Sequence, residues 1–279
     1  MDYRIIADSC LDLTPEMKTE GNIKMVPLTL QVDGVDYVDD DSFDQKVFLK
    51  AVDAAAGSPK SSCPSPEDYK LAFGEDEVSA FCVTLSSELS GSYNSAVLGQ
   101  RLVQEEFPNK KVHIFNSRSA SAGETLIAMK VKEYAEAGCS FEEVVEKVEE
   151  YISQQTTLFV LDNLDTLRKN GRLTGVKATL VSVLNIKPVM ASTPEGTITQ
   201  LSMGRGTKKA LKKMVEEIGK RGTDIEKKAI AISHCNCPER AELVKAEIEK
   251  LYNFKQIVIE DTGGVSTMYA NDGGIVIAF

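Results

Sequence analysis

Features that would direct the chain into or across a membrane are missing from the sequence. No apolar run approaches the roughly 20 residues that a membrane-spanning helix needs. The first residues do not join a basic segment to an apolar one, so we expect no secretion signal. The six cysteines are scattered and form no CxxC pair, an arrangement in which cysteines are normally kept reduced. These observations predict a cytoplasmic protein.

Common catalytic and nucleotide-binding motifs are missing as well. The chain has two histidines and no G-x-S-x-G segment, which disfavours a serine hydrolase. It has no G-x-x-x-x-G-K-[ST] loop, and Gly204-Arg205-Gly206 lacks the third glycine of a dinucleotide loop. We therefore predict no catalytic residues and expect that the protein is not an enzyme.

One segment holds several side chains that can bind metals, His234-Cys235-Asn236-Cys237. A structural zinc site normally needs a second ligand pair elsewhere, and the sequence offers none. The segment follows an apolar run and precedes Pro238, so it predicts a strand-to-helix turn. We expect neither a metal nor another cofactor.

The net charge of −10 is unevenly distributed. Residues 1–156 contain 14 Lys and Arg against 28 Asp and Glu, whereas residues 157–279 contain 18 against 14. The acidic first part disfavours nucleic acid as a partner, because phosphates would repel it. Part of the basic excess lies at Arg205, Lys208 and Lys209, on the exposed face of a predicted helix. Such a patch fits an acidic protein partner or a transient contact with an anionic membrane surface.

The 279 residues predict two domains and an α/β fold. In the first half, short apolar runs alternate with helical stretches, the pattern of βαβ units around a parallel sheet. In the second half, strands are joined by turns as well as helices, which predicts a mixed, partly antiparallel sheet layered with helices. The polar run 154–157 follows an amphipathic helix. We therefore predict an N-terminal α/β domain at residues 1–156 and a C-terminal α/β domain at residues 157–279.

Apolar periodicity predicts the individual elements. Predicted strands cover Arg4–Ala7, Glu77–Leu85, Lys111–Asn116, Leu158–Leu161, Val189–Ala191, Ile198–Ser202, Lys228–Ser233, Gln256–Glu260 and Ile275–Phe279. Predicted helices cover Asp44–Ala56, Pro66–Phe73, Asn94–Phe107, Gly123–Glu136, Leu164–Lys169, Lys177–Leu184, Lys208–Ile218 and Pro238–Leu251. A further helix follows Ser140, which with Glu143 predicts a capping box.

Two short hydroxyl-rich segments are the most informative feature of the chain. They read Ser61-Ser62-Cys63-Pro64-Ser65-Pro66 and Ser90-Gly91-Ser92-Tyr93-Asn94-Ser95, and each is predicted to be the end of a loop that leads into a helix. Hydroxyls and free amides at the start of a helix can hold a carboxylate or a phosphate. Serine also caps ordinary helices, so the pattern alone leaves both interpretations open.

The whole chain resembles the DegV family, bacterial fatty-acid-binding proteins that include the acyl carriers of fatty acid kinase. Beside the two serine segments, the resemblance rests on five others that occur in the family's order. They are Arg4-Ile5-Ile6-Ala7-Asp8-Ser9, then Val26-Pro27-Leu28 with Asp33-Gly34, Tyr37 and Asp39, then Asn163-Leu164-Asp165-Thr166-Leu167 with Gly171-Arg172, then Arg205-Gly206-Thr207-Lys208-Lys209-Ala210, and finally Gly273-Gly274-Ile275-Val276-Ile277-Ala278-Phe279.

This resemblance implies non-catalytic binding of a long-chain fatty acid at the seam between two domains. The implied carboxylate-binding residues are Ser61, Ser62, Ser90, Gly91, Ser92, Arg172 and Tyr269. Arg172 would favour the ionised acid, although a salt bridge across the seam would explain it equally well. The second domain would hold the acyl tail, with apolar residues Leu180, Val181, Val183, Leu184, Ile186 and Val189 as candidates.

The resemblance also implies a partner, a fatty acid kinase to which the carboxylate is presented. Family members that serve the kinase commonly carry a histidine shortly before the last strand. Here that stretch reads Thr267-Met268-Tyr269-Ala270-Asn271-Asp272, and Tyr269 offers a hydroxyl in its place. The alternative function is an enzyme that acts on a small carboxylated or phosphorylated substrate at the same serine segments.

Overall fold

The structure is a computed structural model that describes residues 2–74, 76, 78–173 and 185–279. The elements of its first half are β1 (Tyr3–Asp8), α1 (Pro15–Glu20), β2 (Ile23–Val26), β3 (Thr29–Val32), β4 (Val35–Val38), α2 (Gln45–Ala54), β5 (Lys60–Ser62), α3 (Pro66–Phe73), β6 (Ser79–Thr84), α4 (Ser92–Glu106), β7 (Val112–Asn116), α5 (Ala122–Glu136) and α6 (Phe141–Gln154). The predicted helix Lys177–Leu184, with the tail candidates Leu180, Val181, Val183 and Leu184, lies outside the described residues.

The second half contains β8 (Thr157–Val160), α7 (Asp165–Lys169), β9 (Ile186–Ser192), β10 (Ile198–Arg205), α8 (Thr207–Arg221), a 3-10 helix (Ile225–Lys227), β11 (Ala229–His234), α9 (Pro238–Leu251), β12 (Gln256–Asp261), α10 (Gly264–Ala270) and β13 (Ile275–Ala278). In the parts of the chain that the structure describes, no helix has the length and apolar character to cross a membrane.

The first half contains the predicted parallel sheet. Its strands run in the order β2-β1-β6-β7, and every neighbouring pair is parallel. Helices cover both faces: α5 and α6 pack on one apolar cluster, and α3 and α4 pack on the other. The predicted capping box at Ser140 is confirmed, because its hydroxyl accepts the amide of Glu143 while the Glu143 carboxylate accepts the amide of Ser140.

The second half contains the predicted mixed sheet, with six strands in the order β10-β9-β8-β13-β11-β12. Only β11 and β12 pair in parallel, and the other neighbours are antiparallel. A turn at Gly196 joins β9 to β10. The α/β fold class with these two kinds of sheet is therefore confirmed.

A third sheet was not predicted. It is antiparallel, contains three strands in the order β4-β3-β5, and pairs Ser61 with Leu30 and Ser62 with Thr29. The prediction of a loop at Ser61 and Ser62 is therefore wrong for these two residues, which form the end of β5. The helix α3 that follows is capped by Ser65 instead.

Helix α10 was also not predicted, although it joins the two halves of the molecule. Its residues Val265 and Met268 pack in one apolar cluster with Leu28 from the loop before β3, Leu30 of β3 and Phe48 of α2. Ala122 and Leu126 of α5 pack in turn against the six-stranded sheet. Apolar packing by α10 and by α5 thus joins the two halves.

Candidate functional site

A cavity of about 860 Å³, its open mouth included, lies between the N-terminal half and the six-stranded sheet. Most of its wall is apolar. The apolar residues that line it are Leu28, Leu85, Leu89, Ala120, Phe159, Leu161, Leu167, Ile198, Val265, Ala270 and Val276. An elongated apolar ligand matches such a wall, because its burial removes hydrocarbon from water on both sides.

Donors from three separate parts of the chain lie close together in the cavity wall. Ser61 from β5, Arg172 from the segment after α7 and Tyr269 from α10 all line it. The hydroxyl oxygens of Ser61 and Tyr269 are 3.1 Å apart, and the Arg172 guanidinium carbon lies 6.0 Å from the centre of the Tyr269 ring. Strand β5 and helix α10 are 208 residues apart in sequence, so only the tertiary fold brings these groups together.

Arg172 reaches across the seam between the halves. Its Nε donates to the carbonyl oxygen of Leu89 at 3.0 Å, and its Nη1 donates to the carbonyl oxygen of Asn170. Within the described residues Arg172 forms no ion pair, so the salt bridge considered from the sequence is not found there. A carbonyl lacks full negative charge, and the positive charge of Arg172 therefore remains available to an anion in the cavity.

Ser90 lines the same cavity one residue after Leu89. Its Oγ accepts the amide of Ser92 at 3.2 Å, which leaves its own hydroxyl proton free to donate. Ser92 itself points away from the cavity and is fully buried. The Ser92 hydroxyl donates to Asp8 and lies 2.6 Å from the hydroxyl of Tyr69.

Three of the residues implied by the family resemblance do not line the cavity. Ser92 is held by Asp8, and Gly91 is the exposed residue that precedes α4. Ser62 is exposed and lies within 3.5 Å of the Thr29 carbonyl oxygen. Successive residues of a strand face opposite sides, so Ser61 and Ser62 of β5 cannot both face the cavity. The structure thus brings together Ser61, Ser90, Arg172 and Tyr269.

A second group of hydroxyls in the cavity wall was not predicted. Ser119 lies 2.6 Å from Thr157, whose amide donates to Ser192 at 3.3 Å, and Ser121 donates to buried Asp12. The Ser121 hydroxyl is thus committed to Asp12, while Ser119 and Thr157 share a hydrogen bond with each other. The sequence did contain a signal for part of this group, because residues 117–121 place three serines directly after a strand of the parallel sheet, where α/β proteins bind ligands.

Buried carboxylates lie behind the donors. Asp8 accepts the amides of Cys10 at 3.1 Å and Leu85 at 2.9 Å, in addition to the Ser92 hydroxyl. Burial raises the pKa of Asp8, and it raises the pKa of Asp12 and Asp39 to about 6. Burial, with Asp8 nearby, raises the pKa of Glu124 well above its usual range. A bound carboxylate would therefore meet neutral or positive donors in front and a carboxylate layer behind them.

The groups considered for metal or acid-base chemistry lie elsewhere. Among the described residues, no cluster of three or more His, Cys, Asp or Glu could hold a metal ion. His234 ends β11 at the predicted strand-to-helix turn, with Asp261 at 3.4 Å. His113 is in β7 and lies 3.0 Å from Glu149 of α6. Neither histidine lines the cavity in the part of the chain that is described.

Fold and cavity together define a two-part α/β protein with an apolar binding cavity at the seam between its parts. The model of the DegV family matches residues 2–279. A DegV domain-containing protein of Streptococcus gordonii is 36% identical over 286 residues, which cover 100% of this chain and 99% of that protein. The chain therefore belongs to the DegV family.

Solved structures share the complete architecture. A DegV family protein from Ruminococcus gnavus, refined with vaccenic acid, is 51% identical with a TM-score of 0.97 over 99% of both chains. The Fatty Acid Kinase (Fak) B3 protein of Streptococcus pneumoniae, loaded with linoleic acid, is 34% identical with a TM-score of 0.91. That comparison covers 100% of this chain and 99% of the other.

Proposed function

We propose that this protein binds one long-chain fatty acid in the cavity, without catalysis, and that Ser61, Ser90, Arg172 and Tyr269 hold its carboxylate. The observation that carries the proposal is the composition of the site: a largely apolar wall that also contains a cluster of donors, with the Ser61 and Tyr269 hydroxyls 3.1 Å apart and Arg172 beside them. A fatty acid has the same division into an apolar tail and a single anionic head.

The energetics of such a ligand fit the site. Burial of an acyl chain stabilises the complex by about 0.8 kcal/mol per methylene, on the order of 10 kcal/mol for a long chain before ordering costs. The carboxylate loses its water on entry, which is unfavourable unless protein donors replace that water. Two serine hydroxyls, a tyrosine hydroxyl and one guanidinium would supply replacements. The tail would lie along Phe159 and Ile198.

The relatives support the same ligand class. The Ruminococcus gnavus and Streptococcus pneumoniae structures hold vaccenic acid and linoleic acid, and both cover essentially the whole of this chain. Both ligands have a long acyl chain and a single carboxylate. We infer that the cavity of this protein accepts the same class. With the domains divided between residues 156 and 157, each domain contributes two of the four carboxylate-binding residues, and the second domain contributes Phe159 and Ile198 to the wall along the tail.

The proposal extends to a protein partner, a fatty acid kinase that receives the bound acid. The relative named for the kinase supports this step. A basic rim formed by Arg205, Lys208 and Lys209 would steer an acidic partner, since all three side chains are exposed at the end of β10 and the start of α8. The same rim would also favour a transient contact with an anionic membrane surface.

The six cysteines are all free, which is consistent with a function in the reducing cytoplasm.

The test is the chemical identity of what the protein carries. Purified protein, extracted with organic solvent and analysed by mass spectrometry, should release long-chain fatty acid at about one per chain. R172Q should lower the affinity for hexadecanoic acid, whereas R168Q should not, because Arg168 is exposed and pairs with Asp165 on α7. A polar extract, together with no measurable binding of hexadecanoic acid, would instead favour an enzyme acting on a small substrate.

A further inference from the structure

The first backbone amides of α10 are held by carboxylates from the other half of the molecule. Asp39 accepts the amide of Gly264 at 2.5 Å through one oxygen and the amide of Val265 at 2.7 Å through the other. Asp12 accepts the amide of the preceding Gly263 at 2.7 Å. Both carboxylates are buried, so no water competes for these bonds.

The approach between Asp39 and α10 is close enough to require glycine. A Cβ placed on Gly264 would lie 2.5 Å from Oδ1 of Asp39 and 2.6 Å from its carboxyl carbon. A Cβ on the neighbouring Gly263 would meet nothing nearer than 3.3 Å. The two adjacent glycines therefore differ sharply in their tolerance of a side chain.

Asp39 is tied to the same small sheet that carries Ser61. It directly follows β4, and its amide donates to the carbonyl oxygen of Leu28 at 2.9 Å, just before β3. Strand β3 pairs with β4 on one side and with β5 on the other, where Leu30 is opposite Ser61. Helix α10, which Asp39 grips, carries Tyr269. One carboxylate thus connects the two elements whose hydroxyls meet in the cavity wall.

We propose that Asp39 is a positioning residue for the carboxylate-binding part of the cavity: it fixes α10 against the three-stranded sheet so that the Tyr269 and Ser61 hydroxyls address the same ligand oxygen. The inference rests on the proposed function and adds a residue that touches no ligand. Burial raises the pKa of Asp39 to about 6, so the group is ionised and bonds both amides at neutral pH.

The first test is a double-mutant cycle between D39N and Y269F, read out by displacement of a fluorescent fatty acid. An asparagine keeps the shape but can accept only on one side, so one of the two amides loses its partner. D39N should lower the affinity for hexadecanoic acid roughly tenfold and change the affinity for hexadecan-1-ol by no more than about twofold. In the Y269F background the same change should have little further effect, because the group being positioned is gone.

Two matched controls separate positioning from general damage. D40N removes the same charge one residue later, at an exposed site whose carboxylate accepts the amide and the hydroxyl of Ser42, and should behave like wild type. G264A and G263A keep Asp39 and alter the backbone that it contacts. They therefore test the positioning role even if D39N does not fold. G264A should reproduce the selective loss of acid affinity, and G263A should not.

The outcomes are distinct. Equal losses for the acid and the alcohol, additive losses in the cycle, or equal behaviour of the two glycine variants would overturn the role of Asp39 while leaving fatty acid binding in place. If wild-type protein binds neither ligand, the proposed function fails, and the positioning role fails with it.

Discussion

At the cavity, Ser61, Arg172 and Tyr269 present donors to open space, whereas Asp8 and Asp39 behind them present carboxylates already filled by protein donors. The front layer offers hydrogen-bond donors, whereas the buried layer offers hydrogen-bond acceptors. The front layer is left short of an acceptor, which suits it to an anionic ligand. The buried layer is satisfied internally and fixes the backbone on which the front layer stands. Through Asp39 the buried layer holds α10, the helix that carries the donor Tyr269.

The largest expected effect comes from removing a hydrogen bond within the buried layer. S92A should lower the free energy of unfolding by about 2–3 kcal/mol, because buried Asp8 and the Tyr69 hydroxyl each lose a partner. Urea denaturation measures this change. S62A is the control. Ser62 is exposed, so this substitution should change the free energy of unfolding by no more than about 0.5 kcal/mol. Equal stabilities for the two variants would show that the Ser92–Asp8 bond does not support the fold.

The buried layer also predicts a pH dependence of stability. Burial raises the pKa of Asp39 to about 6 in the folded protein, above the value near 3.9 expected when unfolded. The folded state therefore binds the proton more tightly, and the stability that Asp39 contributes is present below pH 4 and lost as the pH rises to about 6. Between pH 4.5 and pH 7, the free energy of unfolding should fall by about 2 kcal/mol more for wild type than for D39N.

Urea unfolding of both proteins at the two pH values measures that difference. D40N gives a control of opposite sign, because hydrogen bonds from Ser42 lower the pKa of Asp40, whose contribution is lost as the pH falls. Parallel pH profiles for wild type and D39N would contradict the burial of an ionisable Asp39.

A smaller effect separates two adjacent serines of the front layer. S61A should weaken the binding of hexadecanoic acid by about 1–2 kcal/mol, because the buried ligand carboxylate loses a hydrogen-bond donor. S62A should leave the affinity unchanged, since strand alternation turns Ser62 away from the cavity. Fluorescent fatty-acid displacement measures both affinities. Equal losses would mean that β5 does not present its residues as the structure has them.

The smallest effect should come from residues outside both layers. R205E together with K209E should leave hexadecanoic acid affinity unchanged and slow acyl-phosphate formation by a fatty acid kinase severalfold at low salt. The difference from wild type should shrink as salt screens the rim. Identical rates at every salt concentration would exclude this rim as the docking surface.

The front layer could be predicted from the sequence only in part. The serine segments stand out as motifs, but their pattern did not separate Ser61 from Ser62, because β5 is three residues long and borders prolines that resemble a loop. Arg172 and Tyr269 came from family resemblance rather than from periodicity. Helix α10 escaped prediction because it begins with a glycine and contains Val265 and Thr267, residues with low helix propensity.

The buried layer could not be predicted as a layer. Asp8 and Asp39 belong to recognisable segments, yet an aspartate that accepts amides from a distant helix has no local signature. Most aspartates are exposed, and only the tertiary fold reveals which are buried. By contrast, the parallel and mixed sheets follow from local alternation of apolar runs and helices, and the structure confirmed both.

The most direct test of the account is a crystal structure of this protein with hexadecanoic acid. The account predicts the carboxylate within about 2.6–3.2 Å of the Ser61 and Tyr269 hydroxyl oxygens, with the tail along Phe159 and Ile198. A carboxylate bound instead at Ser119 and Thr157, with the tail reversed, would contradict the assignment of the carboxylate to Ser61, Ser90, Arg172 and Tyr269.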